Sequence, residues 1–293
     1  MIKIIGVCGA GTMGSGIAQV SAMAGYPTIL YDMEPAMIEK ARTVIEKNLA
    51  TLAEKKKISA ADQQAILQRL TFTSSLPACI ADLIIEAVVE KPDSKLDLFV
   101  RLAAVNKADT IFASNTSSLS LNALAGKIPG PERFAGLHFF NPAPLMRLVE
   151  IVRTDRSAPA TIDALLRTAR QMGKTPVLCA DSPGFIVNHV ARPYYLEALR
   201  LVEEENCAVE TIDTLLEAAG FKMGPFRLMD LIGNDINYAV SESVYEALGR
   251  PERLKPSPFQ RRIVQEGNLG RKTGKGYYQI GRASCRERVS PRV

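Results

Sequence analysis

The stretch IKIIGVCGAGTMGSGIAQVSAMAG, residues 2–25, decides how the rest of the chain is read. IKIIGV is a short run rich in isoleucine and valine, suited to a buried strand. Gly9-Ala10-Gly11-Thr12-Met13-Gly14 follows at once and opens a helix expected to reach about Ala24, with Gly25 as its C-terminal cap. Each glycine has its own task in this pattern. The first permits the tight turn, the second lets a pyrophosphate approach the backbone, and the third allows helix and strand to pack closely. The free N–H groups around Thr12 and Met13 then face phosphate.

Downstream, TILYD ends in Asp32, 18 residues after Gly14 and 23 after Gly9. An acidic side chain at that distance accepts hydrogen bonds from an adenosine ribose and repels a 2′-phosphate, which favours NAD over NADP. Strand, glycine turn, helix and acid in that order make a dinucleotide fingerprint. A lone GxGxxG would also fit an ordinary strand-to-helix turn.

Working outward, β-branched runs alternate with helical segments as far as about residue 180. Strands are expected at IKIIGV, TILYD, LIIEAV, TIFAS, FAGLHFF, LVEIV and TPVLCA, and helices over 35–57 and 92–107. That alternation predicts an α/β fold, a Rossmann-type doubly wound sheet. After Asp181-Ser182-Pro183-Gly184 the texture becomes helical, with turns at Gly220, Gly224-Pro225 and Gly249. The expected division is an NAD-binding domain over 1–184 and a smaller all-helical domain over 185–280. The latter's apolar faces suit a homodimer interface or burial against the first domain. Residues 281–293 lack apolar periodicity and read as a disordered or artefactual tail.

Composition narrows the classes. The chain has 293 residues, 47% apolar and 23% charged, typical of a globular protein. Its net charge is +5, of which GRASCRERVSPRV contributes +3, so charge gives no argument for nucleic acid as a partner. Cys8, Cys79, Cys179, Cys207 and Cys285 show no zinc-type spacing and read as reduced thiols, with no metal site expected. No apolar run reaches the length of a membrane span, and the chain opens directly into a strand rather than a leader peptide. The expected location is cytoplasmic.

A nucleotide fold does not specify a reaction. Removing hydride from an alcohol needs a base for the hydroxyl proton, and histidine suits that role near neutrality. The chain has two, His138 and His189. His138 ends the run FAGLH, Glu150 lies in LVEIV, and their midpoint is Pro144, so a reversal in the NPAPLM loop brings imidazole and carboxylate together. An isolated histidine is more often a satisfied core or surface group; a Glu-bearing partner strand favours the acid–base reading.

GAGTMGSGIA, EAVVE, SNTSSL, GLHFFNPAP, LVEIV, DSPGFIVN, MGPF and GRKTGKGYY together resemble the 3-hydroxyacyl-CoA dehydrogenase family, particularly its bacterial short-chain members, from about residue 2 to 280. The resemblance implies NAD-dependent oxidation of an (S)-3-hydroxyacyl-CoA, with the 3-hydroxybutyryl thioester favoured over 3-hydroxyadipyl or longer chains. It assigns His138 as the base, Glu150 as its orienter, Ser117 as a contact near the substrate oxygen and nicotinamide, and Asn188 as the residue that positions the acyl group. It also implies cofactor contacts at Glu90, Lys95, Asn115, Asn141 and Lys275.

Taken alone, several of these residues have plainer readings. Ser117 suits a turn or helix cap, Asn188 a polar position on an inter-domain helix, and Asn141 an Asn-Pro turn. Glu90, Lys95 and Lys275 read as surface charges. Lys55, Lys56 and Lys57 close the helix after Asp32, where cations are favourable anyway; the resemblance makes Lys55 a CoA phosphate contact. Two positions depart from the family: Thr51, where some relatives carry lysine, and His189, where arginine is usual, and His189 is given a structural role. The rivals are the 6-phosphogluconate or 3-hydroxyisobutyrate type of dehydrogenase, which uses a lysine base, and a non-catalytic NAD-binding relative.

Overall fold

The computed structural model describes residues 2–280. The expected tail and Cys285 lie outside the described residues. The chain divides into two compact units, one ending at Phe185 and the other beginning at Ile186.

The first unit is built on eight strands: β1 (Ile5–Cys8), β2 (Thr28–Tyr31), β3 (Leu70–Thr73), β4 (Leu83–Glu86), β5 (Ile111–Ser114), β6 (Phe134–Phe139), β7 (Leu148–Arg153) and β8 (Thr175–Ala180). Their order in the sheet is β3-β2-β1-β4-β5-β6-β7-β8. Every neighbouring pair is parallel except β6 and β7. β1 and β4 are buried along their whole length, as expected of central strands covered on both faces. From β1 the chain turns outward to β2 and later returns to β4 on the other side, so a switch in strand order lies at the carboxyl end of β1, the place where open α/β sheets hold ligands.

The helices of this unit are α1 (Thr12–Met23), α2 (Pro35–Glu54), α3 (Ala60–Gln68), α4 (Pro92–Val105), α5 (Leu121–Ala125) and α6 (Pro159–Gln171). α2 starts with proline in its first turn and buries Ile38, Ala41, Ile45 and Leu49, one stripe at helical spacing. It ends at Glu54, three residues short of the sequence expectation. Lys56 takes φ 54°, the Lys57 amide returns to the Leu52 carbonyl and the Lys56 amide to Ala53, so the lysines follow a Schellman stop. α3 begins with a capping box between Ser59 and Asp62. Neither α3 nor β3 was expected from sequence. β3 is a four-residue edge strand in which only Leu70 is fully buried, too little patterning to read.

The second unit contains α7 (Val187–Val190), α8 (Arg192–Glu205), α9 (Val209–Ala218), α10 (Pro225–Ile232), α11 (Asn234–Ala247) and α12 (Pro258–Gln265). Tyr195, Leu196, Leu199, Ile212, Phe226 and Met229 form its core. Two buried carboxylates explain its sequence signatures. Asp213 accepts the amides of Phe226 and Arg227 at 2.9 and 3.0 Å, holding the start of α10 in MGPF. Asp230 accepts the amides of Tyr277 and Tyr278 at 2.9 and 3.0 Å, and a Cβ on Gly276 would collide with its carboxylate. Gly270 and Gly276 of GRKTGKGYY therefore have a packing reason independent of any ligand.

Candidate active site

The glycine turn joins β1 to α1 at the switch point. Gly9 has φ 103°, and an added Cβ there would meet the Ala87 carbonyl. On Gly14 it would overlap the Gly9 carbonyl oxygen, whereas on Gly11 it would meet nothing within 4 Å. Two glycines are thus demanded by the protein itself, and the middle one faces open space, which is the fit expected of a turn that admits a pyrophosphate. The opening amides of α1, Thr12 and Met13 among them, have no acceptor within the helix. Asp32, just beyond β2, accepts the Ala10 amide at 2.7 Å through Oδ2 and the Glu34 amide at 3.0 Å through Oδ1. The carboxylate is thereby tied to the turn.

At the antiparallel junction of β6 and β7, His138 and Glu150 face each other in register. Imidazole Nδ1 lies 2.7 Å from Glu150 Oε2, and the residues are only 5% and 1% exposed. In a neutral imidazole, a carboxylate at Nδ1 favours the tautomer with the hydrogen on that nitrogen and the lone pair on Nε2. The rings of Phe140 and Phe185 pack on the imidazole at 4.6 and 5.7 Å between centroids, limiting its rotation. Cys179 on neighbouring β8 has its thiol pushed up to about 12 by burial, with the Glu150 charge adding to it, so it stays protonated.

Asn115 Oδ1 accepts the Phe139 amide at 2.8 Å and so joins the end of β5 to the histidine strand. Ser117 is half-buried in the turn that follows, its amide donating to Glu90 Oε1 at 3.1 Å. Lys95 departs from its plainer reading. It is not a surface charge: its side chain is 1% exposed and its ammonium lies 2.5 Å from Glu86 and 3.0 Å from Glu90. Burial of an unpaired ammonium is costly, and the two carboxylates are what make it tolerable. Glu86, which sequence reasoning did not single out, is fully buried at the end of β4. Its signal was present in EAVVE, whose two acids bracket a turn.

A groove of ≈ 580 Å³ runs between the glycine turn, α2 and the loop carrying Asn141. Lys40, Val44, Asn48, Thr51 and Lys55 line it, at spacings that put them on one helix face. Ser117 and the His138–Glu150 pair are not among its walls. A second cavity of ≈ 470 Å³, beside Asp82, Asp109 and Arg167, lies at the amino ends of β4 and β5.

Comparison with known proteins decides the family. The family model for the 3-hydroxyacyl-CoA dehydrogenase NAD-binding domain matches residues 4–182, and that for the C-terminal domain of the same family matches 184–280. The chain belongs to the 3-hydroxyacyl-CoA dehydrogenase family. Its first unit is that family's NAD-binding domain, and the family's members are oxidoreductases.

Among these dehydrogenases, a 3-hydroxyadipyl-CoA dehydrogenase of Escherichia coli is 44% identical over 94% of this chain; the chain spans 59% of that protein's length. A probable 3-hydroxybutyryl-CoA dehydrogenase of Deinococcus radiodurans is 41% identical, with 94% of this chain and 99% of the relative covered. The crystal structure of (S)-3-hydroxybutyryl-CoA dehydrogenase from Ralstonia eutropha, 35% identical, aligns with a TM-score of 0.92 over 96% of this chain and all of that one.

The remaining residues assigned by family resemblance belong to the second unit. Asn188 and His189 are half-buried on α7, and Lys275 is exposed and bridged to Gly270. Arg192 fixes the backbone at Asn188, donating from Nε to its carbonyl at 2.8 Å and from Nη1 to the Asn237 carbonyl and Ser241 hydroxyl. Burial lowers that guanidinium to about 10. Among the described residues, no helix is long and apolar enough to cross a membrane.

Proposed function

We propose that the protein oxidises a short (S)-3-hydroxyacyl-CoA, with 3-hydroxybutyryl-CoA preferred, to the 3-ketoacyl thioester and catalyses the reverse reduction. The observation that carries this reading is the buried His138–Glu150 pair at the carboxyl end of β6, in a unit whose glycine turn fits NAD. His138 Nε2 takes the 3-hydroxyl proton while Glu150 holds Nδ1 and stabilises the imidazolium that results. When bound, NAD supplies the hydride acceptor at its nicotinamide ring. In the reducing direction His138 returns the proton.

Ser117 is assigned a hydrogen bond to the reacting oxygen, and Asn188 the positioning of the acyl carbonyl. Gly9, Gly11, Thr12, Met13, Gly14 and Asp32 hold the dinucleotide, with Glu90, Lys95, Asn115, Asn141 and Lys275 completing its contacts. The groove beside α2 supports a CoA thioester, since Lys40 and Lys55 place two cations along it. A homodimer formed through the apolar faces of the helical unit and a cytoplasmic location complete the proposal. The lysine-base rival is disfavoured by the paired imidazole and carboxylate.

The test is NADH-dependent reduction of acetoacetyl-CoA, followed by a panel of 3-ketoacyl and 3-hydroxyacyl thioesters of increasing length and one with a terminal carboxylate. Highest kcat/KM on the four-carbon thioester is expected. A preference for the carboxylated substrate would move the assignment to the adipyl type, and turnover of none, by folded protein that binds NADH, would remove it.

Two smaller effects follow from the same geometry. Asp32 lies where a 2′-phosphate would have to pass its charge, so kcat/KM with NADP should be lower by about tenfold or more, and Asp32→Asn should narrow that gap. Equal efficiency with both dinucleotides in the unaltered enzyme would contradict the ribose role. Lys55→Ala should raise KM for the thioester by roughly threefold to tenfold with little change in kcat, the pattern of lost uniform binding. An unchanged KM at low ionic strength would make Lys55 only the cap of α2.

A further inference from the structure

Lys95 projects from the first turn of α4 into the base of the active-site loops, where it meets two carboxylates at once. Its partners differ in what they hold. Glu86 Oε1 also accepts the Val88 amide at 2.8 Å, and Oε2 the Ser114 hydroxyl at 2.6 Å, so this carboxylate is anchored to the sheet. Glu90 instead grips the turn after β5. Its Oε1 accepts the Thr116 hydroxyl, the Ser117 amide and the Ser118 hydroxyl, and Thr116 Oγ1 in turn accepts the Leu119 amide at 3.0 Å.

The two acids are also held in different electrostatic states. Burial pushes the Glu86 carboxyl above its ordinary value despite the Lys95 charge. For Glu90, burial acts the same way, but the Lys95 charge and the hydrogen bonds from the turn prevail and hold it below. Glu90, 36% exposed, is thus kept ionised with its oxygens aimed at the turn. Without the ammonium between them, the two carboxylates would repel and Glu90 would have an open path toward solvent.

We propose that Lys95 is a positioning residue: by clamping Glu90 to the sheet-anchored Glu86 it fixes the Thr116–Leu119 turn, and with it the Ser117 hydroxyl at the reaction centre. The last clause rests on the dehydrogenase reading above. An ammonium enclosed to this degree by two carboxylates is an internal strut, and its influence on the turn passes through Glu90.

The experiment combines Lys95→Met, Glu90→Ala and the double variant, read by amide hydrogen exchange, NADH affinity and acetoacetyl-CoA kinetics. Lys95→Met should speed exchange at the Ser117 and Leu119 amides by about tenfold or more, since those bonds depend on the clamp. It should lower kcat by about tenfold or more through misplacement of Ser117. In the Glu90→Ala background the same change should cost less than about threefold, because the route through Glu90 is already cut. Should Lys95→Met alone fail to fold, Lys95→Met with Glu86→Gln, which leaves no uncompensated charge beside β4, must show the same losses.

Unchanged exchange at Ser117, or losses that multiply across the Glu90 background, would overturn the proposal. So would weakened NADH binding with kcat and exchange preserved, which would make Lys95 a cofactor ligand and nothing more. Because exchange is measured without turnover, an enzyme inactive on acetoacetyl-CoA would defeat the reaction assignment while the clamp is still judged by its own readout.

Discussion

Replacing His138 with glutamine should lower kcat by at least about 10² while NADH still binds, because a positioned general base is commonly worth about 10²–10⁴ in rate. The size follows from what the site offers in its place. Within the first unit, the carboxylate nearest His138 is Glu150, bonded to Nδ1, buried, and paired with it across the strand junction. It supports the imidazole from the side away from Nε2. Glutamine preserves most of the volume between Phe140 and Phe185, so a fall in kcat with the fold intact reports the lost proton acceptor rather than a collapsed pocket. Near-normal kcat in a folded, NADH-binding His138→Gln protein would refute the base assignment.

The glycine turn supplies the second large effect, in the form of a contrast. Gly14→Ala forces a methyl onto the Gly9 carbonyl, a backbone atom that cannot rotate away. Helix and strand must move apart, and overpacking of this kind costs about 1–3 kcal/mol. Melting temperature and NADH affinity should therefore fall together. Gly11→Ala meets nothing in the protein, and its φ of −68° suits any residue. Its methyl would instead occupy the space proposed for a pyrophosphate. Gly11→Ala should keep the melting temperature within about 1 °C while weakening NADH binding by roughly tenfold or more, a loss of about 1.4 kcal/mol that falls on binding alone. Equal effects of the two substitutions on stability would contradict the distinct roles given to the two glycines.

The packing at Gly9 and Gly14 was readable before the fold was known, for a physical reason: a positive φ and a helix packed closely against a strand each narrow the permitted residue to glycine. The pairing of His138 with Glu150 was readable because an antiparallel return about Pro144 sets residues equidistant from the turn opposite each other, and the register does so. The end of α2 was not readable: the left-handed residue of its stop is Lys56, where glycine or asparagine would have announced it. β3 was hidden because an edge strand with one fully buried side chain has no alternation to detect.

The burial of Lys95 was not readable for a deeper reason. A lysine in a helical first turn is ordinarily solvated, and only the folded sheet brings Glu86 close enough to justify burying it. Burial of charge is a property of tertiary partners, and no local pattern in PDSKLDLF encodes it. The same holds for Arg192, whose carbonyl and hydroxyl partners come from α7 and α11.

The most direct test of the account is a double-mutant cycle on the acid–base pair, measured as kcat for NADH-dependent reduction of acetoacetyl-CoA by the parent enzyme, His138→Gln, Glu150→Gln and the double variant. Glu150→Gln retains the shape but removes the charge that stabilises imidazolium, so it should slow turnover on its own. If imidazole and carboxylate form one unit, the double variant should be nearly as active as His138→Gln, its loss far smaller than the product of the single losses. Losses that multiply, in proteins shown to fold and to bind NADH, would mean that the 2.7 Å contact between His138 and Glu150 is a structural pairing and that the base lies elsewhere.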